Sequence, residues 1–532
     1  MPQEDVQSTE YPFSKKQIVW GLVAVFSVYA TVAFSVQTLM IARPKITADL
    51  DGLPLYAWSV SIASLVMALG TVIFSKFSDM YGRRLMLMIS LIASLTGTVL
   101  SAISPNFIFF IVAGAIGVMG VGAMTPLVFA VVSDLFPPSK RGKWVGLLNI
   151  PVGFFTLIGP SLGGLLVDTL NWRYIYWMTI PLLLFCLFTV PIGVPPPLNR
   201  DSGRKIDIQG CILVALASST TIIGFSFAGT KYPWLSTHII GLLGFSLIIW
   251  IIFLWVESNA KEPILDPIIL RNRTFSTIAL ATFLSSFGSM GMMMYFPMFL
   301  QGVQDISTFH SGMVTTPYGV LAAFMGVPAG YFITRFGRFK WMYVAGYGFL
   351  TMSMYMLIFF NAGTPIGWSL VVAVLGGLGY GVMPTINTIV IQNAVPQRLM
   401  GAAMGALFFF ISIGMAISPA ILGSTMNVSY AKALSQSIPE GLSEIADEKT
   451  LAALDDPQVL LSVSALEDLR KTFMDYGENG PQLFRQTVES IRYSLKTGLS
   501  NIFLIGAIMT LLAFLIICTI PGNSVGSEVN SR

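Results

Sequence analysis

Ser75-Lys76-Phe77-Ser78-Asp79-Met80-Tyr81-Gly82-Arg83-Arg84 is a short polar stretch between two long apolar runs. A degraded copy, Thr334-Arg335-Phe336-Gly337-Arg338-Phe339-Lys340, stands between two others, with Gly337 255 positions after Gly82. Outward from this pair the likeness continues. Gly120-Val121-Gly122 returns as Gly379-Tyr380-Gly381 at a shift of 259, and Gly146, Pro160 and Gly164 return as Gly405, Pro419 and Gly423 at the same shift. Pro137 with Gly142 is echoed by Pro396 with Gly401. A near-constant shift that links loops, bends and helix-packing glycines marks two homologous bundles of one orientation, the plan of a rocking-bundle carrier.

Composition agrees with a membrane setting. The chain has 532 residues, 54% hydrophobic and only 11% charged, with a mean hydropathy of +0.75. Soluble domains carry about 25% charged residues. The net charge of +4 says little, because the side on which Lys and Arg fall matters more. Cys186, Cys211 and Cys518 lie inside apolar runs, and their spacing fits neither a disulfide framework nor zinc; two histidines, His238 and His310, are too few for a metal cluster. The first apolar run is too long for a cleaved signal peptide and has no convincing cleavage site. No phosphate-binding Gly-x-x-x-x-Gly-Lys-Ser/Thr loop is evident, which disfavours ATP-driven transport by this chain. No nucleophile–base set appears, so an enzyme is not expected, and neither a cofactor nor a nucleic-acid partner is implied.

Fourteen spans are expected: Ile18–Ala42, Tyr56–Ser75, Leu85–Ile103, Phe107–Val132, Trp144–Val167, Tyr174–Val194, Ile208–Ala228, Ser236–Val256, Phe275–Leu300, Gly312–Ile333, Trp341–Phe360, Gly367–Ile391, Ala402–Leu422 and Leu499–Ile520. Each can cross ~30 Å of hydrocarbon at about 1.5 Å per residue. With the N-terminus inside, the cytoplasmic segments hold nineteen Lys and Arg and the short outer loops hold four, namely Arg43, Lys45, Arg173 and Lys231. That asymmetry puts both termini in the cytoplasm. The expected architecture is all-α and polytopic: tail 1–17, six-helix bundle 18–194, linker 195–207, inserted helix pair 208–256, linker 257–274, second six-helix bundle 275–520, and tail 521–532. Within the second bundle an outer loop, 427–496, holds eleven acidic and seven basic residues. Its segments Gly441–Leu454 and Leu461–Phe473 read as amphipathic helices forming a small outer cap.

The candidate functional residues fall into three groups. Asp79, Gly82, Arg83 and Arg84, with Gly337 and Arg338 in the copy, read as a conformational latch: glycine allows the tight turn, and the acid and arginines can pair with a neighbouring helix end. The plainer alternative is a topology anchor, which needs neither Asp79 nor Gly82. Gly159, Pro160, Gly163 and Gly164 allow close helix approach and a bend, either sealing one half against the other or packing helices in the ordinary way. No Asp, Glu, Lys, Arg or His lies near the centre of any span, so the candidates for a substrate cavity are neutral: Tyr29, Ser35, Gln37 and Thr38; Thr125; Asn149; Tyr295; Tyr318; Asn387, Thr388 and Gln392. Met293, in the run from Met290 to Tyr295, adds a soft surface suited to varied lipophilic substrates, or simply packs.

These motifs resemble the major facilitator superfamily, and within it the fourteen-span drug:proton antiporters of the multidrug-exporter type, along almost the whole chain. The Asp79–Arg84 loop resembles the superfamily signature between spans two and three, and Gly159–Gly164 resembles the antiporter signature of span five. Ser133-Asp134-Leu135-Phe136-Pro137 with Arg141-Gly142, Trp172 to Trp177, Arg271 to Phe275, and Gln392 to Pro396 also resemble that subgroup. The resemblance implies alternating access around a central cavity in the plasma membrane and export of lipophilic compounds against entering protons. The chain departs from the pattern at three points: Ser35 stands where an acid is usual, Ile116 where an arginine is usual, and Ser75 where the loop usually begins with glycine. Losing both members of a buried pair leaves a neutral core, so coupling is expected to be altered, lost, or moved to rim groups such as Asp134 or Glu257. An uptake permease or uncoupled facilitator for a neutral solute, and a non-transporting sensor or assembly factor, remain as alternatives. An accessory periplasmic or outer partner stays open.

Overall fold

The computed structural model describes residues 14–520 except 51–55, 197–206, 230, 261–262, 337–338, 440–441, 443–453, 455–459, 461–462 and 475–479. Helices account for nearly all of it because every span is apolar on most of its circumference, and a backbone in lipid must satisfy its polar groups within itself. The first bundle contains α1 (Lys15–Asp49), α2 (Tyr56–Tyr81), α3 (Arg83–Ala102), α4 (Phe107–Leu135), α5 (Pro138–Leu147), α6 (Asn149–Thr169) and α7 (Arg173–Gly193). Next come α8 (Ile208–Phe227), α9 (Thr237–Asn259) and the short α10 (Pro267–Arg271). The second bundle contains α11 (Arg273–Met290), a π turn (Gly291–Tyr295), α12 (Phe296–Gly302), α13 (Thr308–Phe324), α14 (Gly326–Phe336), α15 (Lys340–Ile358), α16 (Ile366–Ala394) and α17 (Met400–Ser437), then α18 (Val463–Met474) and α19 (Gly480–Cys518). Asn106, Ser236, Asn272 and Ser307 start α4, α9, α11 and α13 by accepting the N–H of the residue three places on, the usual way to satisfy a free donor at a helix start.

Three expectations change. Among the described residues thirteen helical segments are long and apolar enough to cross a membrane. The expected span at Trp341–Phe360 does fold as α15, but Tyr343, Tyr347, Tyr355 and its glycines dilute its apolar character, and it is not one of the thirteen. The expected span five begins early, at Pro138, and is interrupted at Leu148. The long outer loop shrinks from both ends. The helix after Met400 runs on to Ser437, and the last helix begins at Gly480 rather than Leu499. With 39 residues, α19 is roughly 58 Å long, well beyond the thickness of the hydrocarbon. The protruding ends are tied by Ser490 Oγ donating to the Ser437 carbonyl and by an Arg492–Asp305 ion pair of 3.1 Å. The amphipathic segment expected at Leu461–Phe473 is α18, packed on α19; the one expected at Gly441–Leu454 lies almost wholly outside the described residues.

Candidate functional site

The polar loops Ser75–Arg84 and Pro137–Lys143 share one end of the molecule with the end of α14 at Phe336 and the start of α15 at Lys340, and there the two bundles touch. At Gly82 the backbone takes φ 95°, a conformation glycine adopts without strain, so α2 turns directly into α3. The turn lets Arg83 reach back to Asp79: Nη1 lies 2.5 Å from Asp79 Oδ1, while Nε donates to Asp134 Oδ2 at 3.1 Å. The Asp79 side chain is only 4% exposed, and its oxygens accept the backbone N–H groups of Gly401 at 2.8 Å and Ala402 at 2.5 Å. A carboxylate of the first bundle thereby caps the N-terminus of α17 in the second, where free N–H groups and the helix dipole favour negative charge. Gly401 has to be glycine: a Cβ there would stand 2.6 Å from Asp79 Oδ1 and 2.7 Å from the Ser75 carbonyl. One turn on, a Cβ at Gly405 would meet Ser75 Oγ at 2.7 Å.

On the other side of the same end, α5 meets α14 through closely packed glycines, with Thr334 against Gly142. A Cβ at Gly142 would stand 2.8 Å from the Gly330 carbonyl, and one at Gly146 would stand 2.5 Å from that of Gly326. Both helical rods are broken here, at Leu148 between α5 and α6 and at Met325 between α13 and α14. Pro151 and Pro328 explain the breaks, since each lacks the N–H that the carbonyl four residues back would accept. Asn149 Nδ2 lies within 3.3 Å of the Val145 and Gly146 carbonyls and 3.1 Å from Thr385 Oγ1 of the second bundle. Between the two glycine contacts sits Arg141, 6% exposed. It donates to the carbonyls of Phe136 (2.9 Å) and Ser133 (2.8 Å) and to Gln397 Oε1 of the second bundle (3.1 Å). Gln397 in turn donates to Asp134 Oδ1 at 2.6 Å, and Gln392 to the Phe129 carbonyl at 3.1 Å.

Away from this end the bundles part. Along α13–α14 the room beside successive glycines grows. The nearest atom to a Cβ is 2.6 Å away at Gly326 and 3.7 Å at Gly319, and Gly312 has nothing within 4 Å. The wedge so formed has a floor of aromatic rings, half-buried at Tyr29, Tyr318, Tyr380 and Phe408 and fully buried at Phe129. Tyr29 and Phe129 of the first bundle lie edge to face at 5.5 Å, and Phe129 meets Phe408 of the second bundle at 5.3 Å. Tyr318 stacks on Tyr380 at 6.4 Å, and Tyr380 lies near Tyr29 of the first bundle.

The expected site residues divide accordingly. Asp79, Gly82 and Arg83 meet at the closed end; Arg84 is half-buried beside them, and Gly337 and Arg338 lie outside the described residues. Tyr29, Tyr318 and Gln37, whose Nε2 donates to Thr156 Oγ1 at 2.9 Å, border the wedge. Asn149 and Gln392 belong to the bonds that close it. Asn387 is sequestered: it is 2% exposed, donates to Thr282 Oγ1 at 3.0 Å and accepts from Tyr343, all inside the second bundle. Thr388 is tied to the Pro384 carbonyl, and Thr125 is half-buried in α4. Tyr295 donates to the Pro419 carbonyl at 3.2 Å, while Met293 on the π turn is exposed. Ser35 does not face the wedge. It lines a separate cavity of about 100 Å³ inside the first bundle, with Arg43, Ser94, Thr98 and Tyr176. The span-five glycines act within one bundle rather than between the two. Gly159 packs on Gln37 and Gly163 on the Thr38 backbone of α1, because α6 lies against α1 throughout; Gly164 faces open space, and nothing is described of the Pro160 side chain. The residues sequence reasoning passed over as a seal are Arg141 and Gln397. In sequence, Arg141 reads only as part of the motif it forms with Gly142, and Gln397 stands four residues before Gly401, the repeat partner of Gly142.

Comparison with known proteins agrees with this geometry. The multidrug transporter protein MdtP of Bacillus subtilis (strain 168) is 28% identical over 486 residues, covering 88% of this chain and 88% of that one. Multidrug resistance protein 3 of the same organism is 28% identical over 417 residues, covering 78% and 81%. Among solved structures, the human organic anion transporter MFSD10 superposes with a TM-score of 0.60 at 15% identity, covering 94% of this chain and 99% of that one, a likeness of fold alone. Residues 25–419 match the Major Facilitator Superfamily. A match of that extent, on two helical bundles that close upon each other at one end, makes the chain a member of the Major Facilitator Superfamily and a membrane transporter rather than an enzyme.

Proposed function

We infer that this protein is a secondary active exporter of small lipophilic and amphipathic compounds. It works by alternating access between the state closed at the basic end and a counterpart open there. The observation that carries the reading is the one-ended wedge over a floor of neutral aromatic rings. Such a surface takes apolar ligands of varied shape with few fixed polar demands. The multidrug names of the two Bacillus relatives support the same reading. In the finer assignment α15 is the fourteenth span, α8 and α9 are a pair inserted between six-helix bundles, and the chain sits with the drug:proton antiporters. By the positive-inside rule the basic end is cytoplasmic, along with both termini, so the wedge opens outward from the plasma membrane. The Asp79 and Gly142 contacts are the cytoplasmic latch, and Tyr29, Gln37, Tyr318 and Tyr380 border the substrate path. Export is driven by protons, although Ser35 and Ile116 put no charge at the positions the subgroup uses.

The test is accumulation of a panel of fluorescent lipophilic dyes in cells with and without the protein, before and after a proton uncoupler. Several-fold lower accumulation, abolished by the uncoupler, is the expected result. Equal accumulation across a broad panel would defeat the export reading, and lower accumulation that survives the uncoupler would remove the proton from it.

A further inference from the structure

The α8–α9 pair touches both bundles. At the end away from the basic loops Trp234 Nε1, in the loop joining the pair, donates to Ser424 Oγ of α17 at 2.8 Å, and Trp250 of α9 lies against Phe409. At the basic end the pair packs on α2, and there Glu257 is 2% exposed, its carboxylate facing the backbone N–H groups of Ile264 and Leu265 but meeting none in full hydrogen-bond geometry. A second acid stands beside it. Asp207 uses Oδ1 to cap α8 at the N–H of Gly210, 2.8 Å away, and its buried Oδ2 also has no hydrogen-bond partner. Gly210 makes the approach possible: a Cβ there would press on Asp207 Oδ2 and stand 2.7 Å from Glu257 Oε1. Among the described residues, the charged group facing the two acids is Lys76 of α2, 3% exposed and within electrostatic reach of Glu257. Cys211 is the other titratable side chain of α8 nearby, and Ile264 and Leu265 present backbone N–H groups to Glu257 but no charge. The described part of α17, which also packs on α8, brings no titratable group to this end.

We propose that Glu257, packed beside Asp207, binds a proton at the foot of the α8–α9 pair, near Lys76, and that this proton sets how firmly the pair holds α2. One buried ammonium balances one carboxylate. A second ionised carboxylate, buried without a cation of its own, costs several kcal/mol unless it is neutralised, and two acids that share a site do not ionise together easily. Lys76 lies one helical turn before Asp79 on the same face of α2, so the grip of the pair on Lys76 acts on the helix that carries the charged latch. Use of the site in transport rests on the proton-linked export reading; the proton site itself does not.

The test is infrared difference spectroscopy of the purified full-length protein in lipid nanodiscs, titrated from mildly acidic to mildly alkaline buffer with no transport substrate. A protonated-carboxyl C=O band that disappears as pH rises is expected, lost in Glu257→Gln and kept in Glu489→Gln, a change on the exposed face of α19. Asp207→Ser preserves a capping oxygen but removes the second acid, so it should move the loss of the band to lower pH, which keeps the idea testable if Glu257→Gln does not fold. A band unaffected by either change, or none in the unaltered protein, overturns the proposal. So does a band removed by sodium at fixed pH, which would mark a cation site. A failed dye assay leaves a positive result standing, and a missing band leaves the export reading standing.

Discussion

The two contacts that close the basic end occupy equivalent places in the repeat and seal by different means. A shift of 255 carries Asp79, Ser75 and Thr71 of α2 onto Thr334, Gly330 and Gly326 of α14; a shift of 259 carries Gly142 and Gly146 of α5 onto Gly401 and Gly405 of α17. Each contact therefore sets a glycine pair of one bundle against one face of a helix from the other. What separates them is where the glycine-bearing helix begins. A 3₁₀ turn, Gln397–Leu399, precedes α17, which starts at Met400, so the N–H groups of Gly401 and Ala402 fall in the first turn and are free to meet Asp79. The α5 helix is already running from Pro138, and the Gly142 N–H is committed to the carbonyl four residues back. Thr334 is exposed, and its hydroxyl donates to Gly330 of its own helix at 2.8 Å. One side is thus a charged cap, sensitive to chemistry, and the other is a steric fit.

The comparison breaks most visibly where the two sides are alike. Gly401→Val and Gly142→Val should be equally severe, because each puts a branched side chain against backbone that is already 2.8 Å or less from the new Cβ. Overpacking of this kind costs about 1–3 kcal/mol, so the closed population should fall by roughly tenfold, with transport falling in step. Maleimide labelling of Gly312→Cys, at the open mouth of the wedge, in a background without the three native cysteines, reads that population. An effect on one side only would show that the two contacts do not carry equal shares. The next effect is specific to the charged side. Asp79→Asn retains the shape but loses the charge-assisted bonds, worth about 1.5–3 kcal/mol together with their pairing to Arg83, and should slow labelling at residue 312 by about tenfold. Labelling at the unaltered rate would mean that the glycines alone close this end.

The contacts of Asp79, Gly82 and Arg83 were legible because their parts are short-range or repeated. Asp79, Gly82 and Arg83 lie within one turn and a loop, and the glycines recur at a fixed shift. The position of the cavity residues was not legible, for a physical reason. Spans apolar on nearly every face carry no periodic signal of which face meets the wedge. Asn387 looked like a ligand candidate, but its partners, Tyr343 and Thr282, come from other helices, 44 and 105 residues away in sequence. Ser35 was placed on the correct helix and turned out to face a cavity inside its own bundle. Glu257 shows the same limit in reverse. At the end of an apolar run it reads as a solvated rim group, and only the packing of α8 and α2 around it makes it buried.

The smallest expected effect sharpens the comparison most. Thr334→Asp places in the steric latch the residue that dominates the charged one. If sequence alone made the cap, the change would add a second charged latch and favour the closed state. The geometry says otherwise. The helix facing residue 334 offers no free N–H group, since α5 started four residues earlier, and an exposed carboxylate gains little from charges it does not bond. Labelling of Gly312→Cys should stay within about twofold of the unaltered protein, under about 0.4 kcal/mol in the conformational equilibrium. A closed state strengthened as much as Asp79→Asn weakens it would show that proximity to a helix end suffices, and that the starting residue of α17 is not what makes the two sides differ.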